Sequence, residues 1–195
     1  MIDYKNYSND LFFKEGILFS TKESKVSYPE SGNEVCFQIE ENSFWFKHRN
    51  NCIIESVKKH NKNTVFFDIG GGNGYVTKGL QENGFNTILV EPGLAGCLNA
   101  KKRNLDNVIC STLENANFQK ESIENIGPFD VVEHIENDVE FLKSIHSFLE
   151  KDGLLYITVP AYNFLWSKDD ISAGHYRRYT LKSIEKKLKE IGFYN

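Results

Sequence analysis

The chain has 195 residues, a hydrophobic fraction of 40% and a charged fraction of 26%, values that exclude the disordered and fibrous classes and are typical of one globular domain. The formal net charge is -4 and the basic residues are scattered, which argues against a nucleic-acid-binding protein because such proteins usually present a basic face to phosphate. The four widely spaced cysteines, and apolar runs that all fall short of roughly 20 residues, predict a cytoplasmic protein with reduced thiols and no membrane span.

The amino-terminal part of the chain, residues 1–60, is predicted to be a mixed and partly helical cap segment. Within it, residues 43–60 place their apolar side chains on roughly one face, as an amphipathic helix does. We expect this helix to cover the core. The boundary with the rest of the chain is predicted near Asn61, Lys62 and Asn63.

The remaining residues, 61–195, alternate short apolar runs with helical patterns, which predicts an α/β fold with a mostly parallel sheet and flanking helices. The predicted strands are residues 64–67, 87–90, 108–110, a segment within 123–132, and 154–159. One helix is predicted to begin with Asn137 as its cap and to end at Gly153. A later helix begins at Thr180 and ends at Gly192.

A glycine-rich loop follows the first strand of this region. It comprises Asp68, Ile69, Gly70, Gly71, Gly72, Asn73 and Gly74. Glycine has no side chain, so such a loop lets the backbone approach a ligand closely. Asp68 can accept hydrogen bonds from a hydroxyl-bearing or cationic ligand. The pattern D-x-G-x-G-x-G departs from the dinucleotide pattern G-x-G-x-x-G, because Tyr75 stands where the last glycine would be.

A second carboxylate, Glu91, ends the next predicted strand. Its separation from Asp68 in the sequence is close to the ~20 residues after which an acidic residue meets ribose hydroxyls in such sheets. Two carboxylates are therefore predicted to flank one crevice. The alternatives are a plain glycine-rich turn and, for Glu91, a solvated strand end beside the turn at Pro92 and Gly93.

The loop and Glu91 resemble the first motif and the second-strand acid of the class I S-adenosylmethionine-dependent methyltransferases, over a region from about Phe44 to the end of the chain. The resemblance implies a Rossmann-like, doubly wound sheet that binds S-adenosylmethionine. In that family the loop contacts the methionine part of the cofactor, the acid binds the ribose hydroxyls, and the loop after the third strand holds the adenine.

The third-strand loop here carries Thr112 where many of those relatives carry an acid, so Glu114 or the backbone is the alternative partner of the adenine. The resemblance thus implies a set of cofactor-binding residues. They are Asp68, Gly70, Gly71, Gly72, Asn73, Gly74, Glu91, Pro92, Thr112, Leu113, Glu114, Phe129 and Asp130.

The run from Phe129 to Ile135 reads F-D-V-V-E-H-I and resembles a stretch of a methyltransferase subgroup, types 11 and 12, that includes quinone-precursor O-methyltransferases. The resemblance implies that these residues line the cofactor and the target atom. His134 is a candidate to accept a proton from the methyl acceptor. The alternatives are a capping box formed by Asp130 and Glu133 and, for His134, a structural pair with a neighbouring acid.

Some quinone-pathway relatives use a divalent metal at this acidic stretch. Asp130, Glu133 and Asp138 supply suitable oxygen ligands, but such carboxylates are commonly just solvated. We therefore assign no metal from the sequence.

Aromatic residues and arginines follow the fifth predicted strand, at residues 160–167 and 174–180, where they would cover the carboxyl ends of the strands. Runs similar to G-H-Y-R-R-Y-T occur in methyltransferases that this chain resembles. We expect the acceptor to contact Tyr162, Trp166, His175, Tyr176 and Arg178, with His175 as a second catalytic candidate. The alternatives are that His175 and Arg178 tie down the loop through Asp169 or Asp170, and that Trp166 packs in the core.

The sequence thus predicts S-adenosylmethionine-dependent methyl transfer to the oxygen, nitrogen or carbon of a small-molecule acceptor. The rival functions are a nicotinamide-dependent oxidoreductase and a cofactor-binding protein without transfer activity. The family fold implies two further strands after Gly192, of the usual seven, but three residues remain. The alternatives are a fragment, or a homodimer in which a second chain covers the sheet edge.

Overall fold

A computed structural model describes residues 2–22, 30–60 and 64–194, so the boundary predicted at residues 61–63 lies outside the described residues. The strands are β1 (Leu11–Lys14), β2 (Ile17–Ser20), β3 (Phe66–Ile69), β4 (Thr87–Glu91), β5 (Val108–Cys110), β6 (Ile123–Gly127) and β7 (Leu149–Leu155). The helices are α1 (Glu30–Glu40), α2 (Phe44–His60), α3 (Tyr75–Glu82), α4 (Leu94–Lys102), α5 (Asp138–Phe148), α6 (Lys168–Ala173) and α7 (Leu181–Ile191).

All the strands belong to one seven-stranded sheet with the order β1-β2-β5-β4-β3-β6-β7. Strands β3 to β7 pair in parallel, which confirms the predicted α/β fold. Every residue of β3 and β4 is buried. Such continuous burial is typical of parallel strands that are covered on both faces.

The amino-terminal strands β1 and β2 form an antiparallel hairpin that extends this sheet, because β2 pairs in parallel with β5. The two turn residues, Glu15 and Gly16, both have positive φ (50° and 82°), as a two-residue hairpin turn requires. The segment 1–60 is therefore partly a component of the sheet rather than only a cap. No strand follows α7 among the described residues, and the hairpin brings the total to seven.

Helices cover both faces of the sheet, since the adjacent residues Phe66 and Phe67 of β3 point in opposite directions. Phe66 packs in a cluster with apolar residues of α2 and α3. Phe67 packs in the cluster to which α5 and α7 contribute. The prediction that the helix at 43–60 covers the core is confirmed. Within the described ranges, no helix combines the length and apolarity that a bilayer-spanning helix needs.

The largest differences from the predicted boundaries lie at the end of α5 and the start of β7. The helix α5 begins with Asn137 as its cap, as predicted, but it ends at Phe148 rather than at Gly153. The buried Leu149 already pairs with Ile123, so the chain turns into β7 and Gly153 lies within that strand. The strand predicted at 154–159 therefore begins earlier, and its end contributes only an isolated bridge between Thr158 and Phe129.

Candidate functional site

A cavity of about 1170 Å³ opens at the carboxyl ends of the central strands. All the predicted cofactor residues except Gly74 line it, together with both catalytic candidates, His134 and His175. Of the predicted acceptor contacts, His175 lines the cavity, whereas Tyr162, Trp166, Tyr176 and Arg178 lie outside its lining. The predicted site residues are thus largely brought together, apart from the aromatic acceptor contacts predicted within residues 160–180, a segment that we call the lid.

The glycine-rich loop after β3 is closely packed on its side that faces the protein core. A Cβ atom on Gly71 would lie 2.5 Å from Leu89 Cδ1 and 2.6 Å from Asp68 Oδ2, so a larger residue would displace the loop. Gly74 has a φ of 74° and its Cβ would lie 2.4 Å from Leu105 Cδ1. Gly74 therefore starts α3 and packs against the core side, which explains why it does not face the cavity.

Asp68 is fully buried at the end of β3. Its Oδ2 accepts a hydrogen bond from Thr77 Oγ1 at 2.6 Å, and its Oδ1 has no hydrogen-bond partner. Burial raises the pKa of Asp68 to about 6. A buried acceptor without a donor is costly, so this oxygen fits a ligand that donates a hydrogen bond.

Glu91, at the end of β4, joins the two loops that border the cavity. Its carboxylate accepts hydrogen bonds from the backbone N–H groups of Gly72 at 2.9 Å and Gly93 at 2.7 Å. Burial raises the pKa of Glu91 to about 7. The two carboxylates predicted to flank one crevice do so, and the solvated strand end is the wrong alternative because Glu91 is 6% exposed. The carboxylates of Asp68 and Glu91 are hydrogen-bond acceptors, and such a pair fits the hydroxyl-bearing S-adenosylmethionine.

The helix α1 is held over the glycine-rich loop by a network that the sequence did not suggest. Asn73 Nδ2 donates to the backbone oxygen of Asn33 at 2.8 Å. Arg103 Nη1 donates to the backbone oxygen of Asn73 and pairs with Glu40 Oε2, each at 2.8 Å. These residues are far apart in sequence, and a buried arginine has no local pattern that would reveal it.

The loop after β5 contributes Thr112, Leu113 and Glu114 to the cavity lining. Leu113 is buried, Glu114 is exposed, and Thr112 Oγ1 accepts a hydrogen bond from the backbone of Asn115. The neutral Thr112 hydroxyl thus holds the turn. Glu114 and the backbone both remain predicted partners of the adenine.

Phe129 and Asp130 follow β6 and line the cavity beside the glycine-rich loop. Phe129 is buried and stacks on Phe66 with the ring centroids 6.0 Å apart. Asp130 accepts a hydrogen bond from Thr158 Oγ1 at 2.8 Å and forms an ion pair with Arg49 at 2.7 Å. The capping-box alternative for Asp130 is wrong, because the following short turn has Val131 as its cap and no side-chain capping bond.

Glu133, His134 and His175 meet at one end of the cavity. Their potential ligand atoms all lie within 4.8 Å of one another. The two imidazole centroids are 4.6 Å apart, and burial followed by the neighbouring His175 lowers the pKa of His134 to about 4. Burial, and then Asp130, raises the pKa of Glu133 to about 8. Asp138 has other partners, because it accepts hydrogen bonds from Tyr179 and Lys187.

The lid residues 160–180 are organised by the buried Asp170. Its carboxylate accepts two hydrogen bonds from Arg178, from Nε and Nη2, each at 2.8 Å. His175 Nδ1 lies 2.9 Å from the same carboxylate. The hydrogen bonds from Arg178 hold the pKa of Asp170 well below its usual range, so the ionised carboxylate accepts and His175 Nδ1 donates.

The alternative in which His175 and Arg178 tie down the loop is therefore the observed one, with Asp170 rather than Asp169 as the anchor. Tyr162, Trp166 and Tyr176 are 50%, 39% and 52% exposed. The alternative that Trp166 packs in the core is wrong, because its side chain is too exposed. The acceptor contacts predicted for these aromatic residues stay predictions.

Residues 45–195 match the family described as a methyltransferase domain. The ubiquinone biosynthesis O-methyltransferase of Rickettsia bellii (strain OSU 85-389) is 29% identical over 125 residues, which cover 56% of this chain and 49% of that protein. The same enzyme of strain RML369-C matches equally well. The chain thus spans about half the length of the curated relatives it matches.

Two solved structures have similar folds. One is phosphoethanolamine N-methyltransferase 2 of Haemonchus contortus with S-adenosyl-L-methionine (TM-score 0.68, 20% identity, 88% of this chain and 43% of that chain). The other is an S-adenosylmethionine-dependent methyltransferase of Thermotoga maritima (TM-score 0.65, 19% identity, 85% and 77%). The predicted fold is confirmed. The chain belongs to the methyltransferase domain family.

Proposed function

We propose that this chain transfers a methyl group from S-adenosylmethionine to a small-molecule acceptor. The observation that carries the proposal is one cavity with two chemically different ends. The glycine-rich loop and Glu91 form one end, and Glu133, His134 and His175 form the other. Its volume of about 1170 Å³ exceeds the ~300–1,000 Å³ usual for one ligand, which leaves room for a cofactor and an acceptor.

The residues at the first end hold the cofactor, which supplies a methyl group activated on a sulfonium sulfur. Glu91 accepts hydrogen bonds from the ribose hydroxyls, and the orphaned Oδ1 of Asp68 accepts a further one. The backbone of Gly70 and Gly71 lies against the methionine part. Thr112, Leu113 and Glu114 border the adenine.

The residues at the second end align the acceptor, since methyl transfer is an in-line displacement whose rate depends on orientation and on the exclusion of water. The ion-paired Asp130 and Arg49, which also line the cavity, provide charged groups for orienting it. His134 and His175 are the candidates for handling the acceptor's proton. The helices α1 and α2 of the segment 1–60 contribute to the wall of the cavity and act as its cap.

The test is incubation of the protein with S-adenosylmethionine that carries a labelled methyl group and with a cell extract, followed by separation by size. We expect label in the small-molecule fraction, and less of it with a variant that carries Gly71→Val. Label that appears only in protein or RNA contradicts the proposal. Cofactor binding without transfer to any component favours a cofactor-binding protein instead. Calorimetry with S-adenosylhomocysteine and with NAD separates this function from a nicotinamide-dependent oxidoreductase.

We expect the affinity for S-adenosylhomocysteine to fall by up to ~10-fold between pH 8 and pH 6. The pKa of Glu91 is about 7, and protonation removes an acceptor for the ribose hydroxyls, so binding is favoured above that pKa and weakened below it. Calorimetry at the two pH values measures the change. Asp68, with a pKa of about 6, faces the same loop, so a Glu91→Gln variant serves as the control. A wild-type affinity that is equal at both pH values contradicts this assignment of Glu91.

We further propose a cytoplasmic protein that acts on a small molecule rather than on nucleic acid. The acidic balance of the chain supports this part of the proposal. The homodimer stays a prediction, and light scattering on the purified protein tests it.

A further inference from the structure

Two cysteines, Cys97 and Cys110, lie together beside the turn that follows β4. Cys97 belongs to the first half of α4, and Cys110 ends β5, where it pairs in register with Glu91. Both side chains belong to one apolar cluster, in which Cys97 is fully buried and Cys110 is partly buried. Cys97 Sγ donates to the backbone oxygen of Glu91 at 3.2 Å. Cys110 Sγ donates to the backbone oxygen of Pro92 at 3.9 Å, so the two thiols hold adjacent carbonyls of the same turn.

The two thiols also interact with each other, and their environments differ. Cys97 donates a hydrogen bond to Cys110, which lowers the pKa of Cys110 because it stabilises the thiolate. The same hydrogen bond, together with burial, raises the pKa of Cys97. Redox-sensitive cysteines are typically accessible thiols of lowered pKa with a second cysteine nearby that completes a disulfide. Cys110 fits the first description and Cys97 the second.

The start of α4 packs directly against the residues that border the cofactor end of the cavity. A Cβ atom on Gly96 would lie 2.8 Å from the backbone oxygen of Gly72 and 3.0 Å from Glu91 Cγ. A movement of this part of α4 therefore displaces the glycine-rich loop and Glu91. A disulfide requires an S–S distance of ~2.05 Å, which is much shorter than the separation of two hydrogen-bonded sulfurs. Its formation draws Cys97 towards β5 and removes the thiol proton that Cys97 donates to Glu91.

We propose that a hydroperoxide converts Cys97 and Cys110 to a reversible disulfide, and that this disulfide weakens the binding of S-adenosylmethionine. The effect on the cofactor rests on the proposed function. The reduced thiols predicted from the sequence are the form that binds the cofactor, with Glu91 held by the N–H groups of Gly72 and Gly93. In the oxidised form, the displaced α4 shifts the carboxylate that accepts from the ribose hydroxyls.

The oxidation has two steps. The Cys110 thiolate attacks a peroxide oxygen, the O–O bond breaks, and the departing oxygen takes up the proton that the Cys110 thiol has lost. Cys110 is then a sulfenic acid. The sulfur of Cys97 attacks the sulfur of Cys110, so that the S–S bond forms and the S–O bond breaks, and the leaving hydroxide departs as water with the proton of Cys97. One peroxide is thus reduced while two thiols are oxidised, and a dithiol reductant reverses the change.

The first test is peroxide treatment of the full chain, followed by alkylation of the remaining thiols and digestion with trypsin without a reductant. Trypsin releases Cys97 in peptide 79–101 and Cys110 in peptide 104–120, since each peptide lies between basic residues and contains one cysteine. We expect mass spectrometry to find these two peptides joined after treatment with hydrogen peroxide. They should separate after treatment with dithiothreitol.

The second test is calorimetry with S-adenosylhomocysteine. We expect oxidation of the wild type to weaken binding by at least ~5-fold, and dithiothreitol to restore it. The variants Cys97→Ala and Cys110→Ser should each bind equally well before and after peroxide treatment. The matched control is Cys52→Ser, which removes an exposed thiol outside the pair, so its affinity should fall on oxidation as that of the wild type does. Thermal unfolding shows whether each variant is folded.

The proposal is overturned if the folded wild type yields no joined peptides or if its measured affinity is equal in the two redox states. It is also overturned if Cys110→Ser loses as much affinity on oxidation as the wild type. Failure of the proposed function gives a different pattern. The joined peptides would still form, but the reduced protein would bind no S-adenosylhomocysteine or would methylate no component of an extract.

Discussion

Replacing Glu91 by alanine is expected to weaken the binding of S-adenosylhomocysteine by about 1 to 3 kcal/mol, or ~5- to ~150-fold. The variant loses the acceptor for the ribose hydroxyls. It also leaves the N–H groups of Gly72 and Gly93 without their partner, so both loops that border the cavity lose a fixed point. Isothermal titration calorimetry measures the change.

Two further variants make this result specific. Glu91→Gln keeps one acceptor oxygen and should lose less affinity than Glu91→Ala. Glu82→Ala, on the exposed surface of α3, removes a carboxylate of the same size away from the cavity and should bind as tightly as the wild type. An unchanged affinity in Glu91→Ala would remove Glu91 from the cofactor site.

Replacing Asp170 by alanine is expected to lower the free energy of unfolding by about 3 kcal/mol, which corresponds to a decrease in Tm of roughly 6 to 12 °C. Asp170 is buried and accepts hydrogen bonds from Arg178, His175 and the backbone of Ser167. Removal of this carboxylate leaves the Arg178 side chain, which is 18% exposed, without its counter-charge. Urea unfolding and thermal unfolding both measure the effect.

The neighbouring Asp169 offers a matched control, because it is exposed and precedes Asp170 in the same helix. Asp169→Ala should change the free energy of unfolding by less than about 0.5 kcal/mol. If Asp170→Ala is as stable as Asp169→Ala, the network around Asp170 does not hold the lid.

The central sheet and the cofactor loop could be predicted because their signals are local. Buried parallel strands such as β3 and β4 are short apolar runs, and the loop from Asp68 to Gly74 is defined by consecutive residues. The end of α5 was predicted wrongly for a tertiary reason. Gly153 resembles a helix stop, but the pairing of Leu149 with Ile123 ends the helix earlier.

The hairpin at 11–20 has a local signal in the sequence. Two apolar runs flank Glu15 and Gly16, which is a two-residue turn with glycine at its second position. Its pairing with β5 could not be predicted in this way, because strand neighbours are set by the packing of the whole sheet. The interactions of Arg103 could not be predicted for the same reason, because its partners Glu40 and Asn73 come from other elements.

The candidate site was predictable where one strand end determines it and not where distant segments meet. Glu91 and the loop lie at the ends of neighbouring strands, so their proximity follows from the fold. The acceptor contacts predicted for the lid aromatics stay predictions. What local patterns did not reveal is that Asp170 fixes this segment through Arg178 and His175, with Tyr162 and Tyr176 about half exposed. A pattern of aromatic residues does not say which way the segment is turned.

The pairing of β2 with β5 also bears on the order in which the chain folds. β2 leaves the ribosome before its partner β5, from which it is separated in the sequence by α1, α2, β3, α3, β4 and α4. An isolated two-stranded hairpin is at best marginally stable in water. We therefore expect the hairpin to join the sheet late, after β3, β4 and β5 have assembled, so that strands synthesised before β3 become ordered after it.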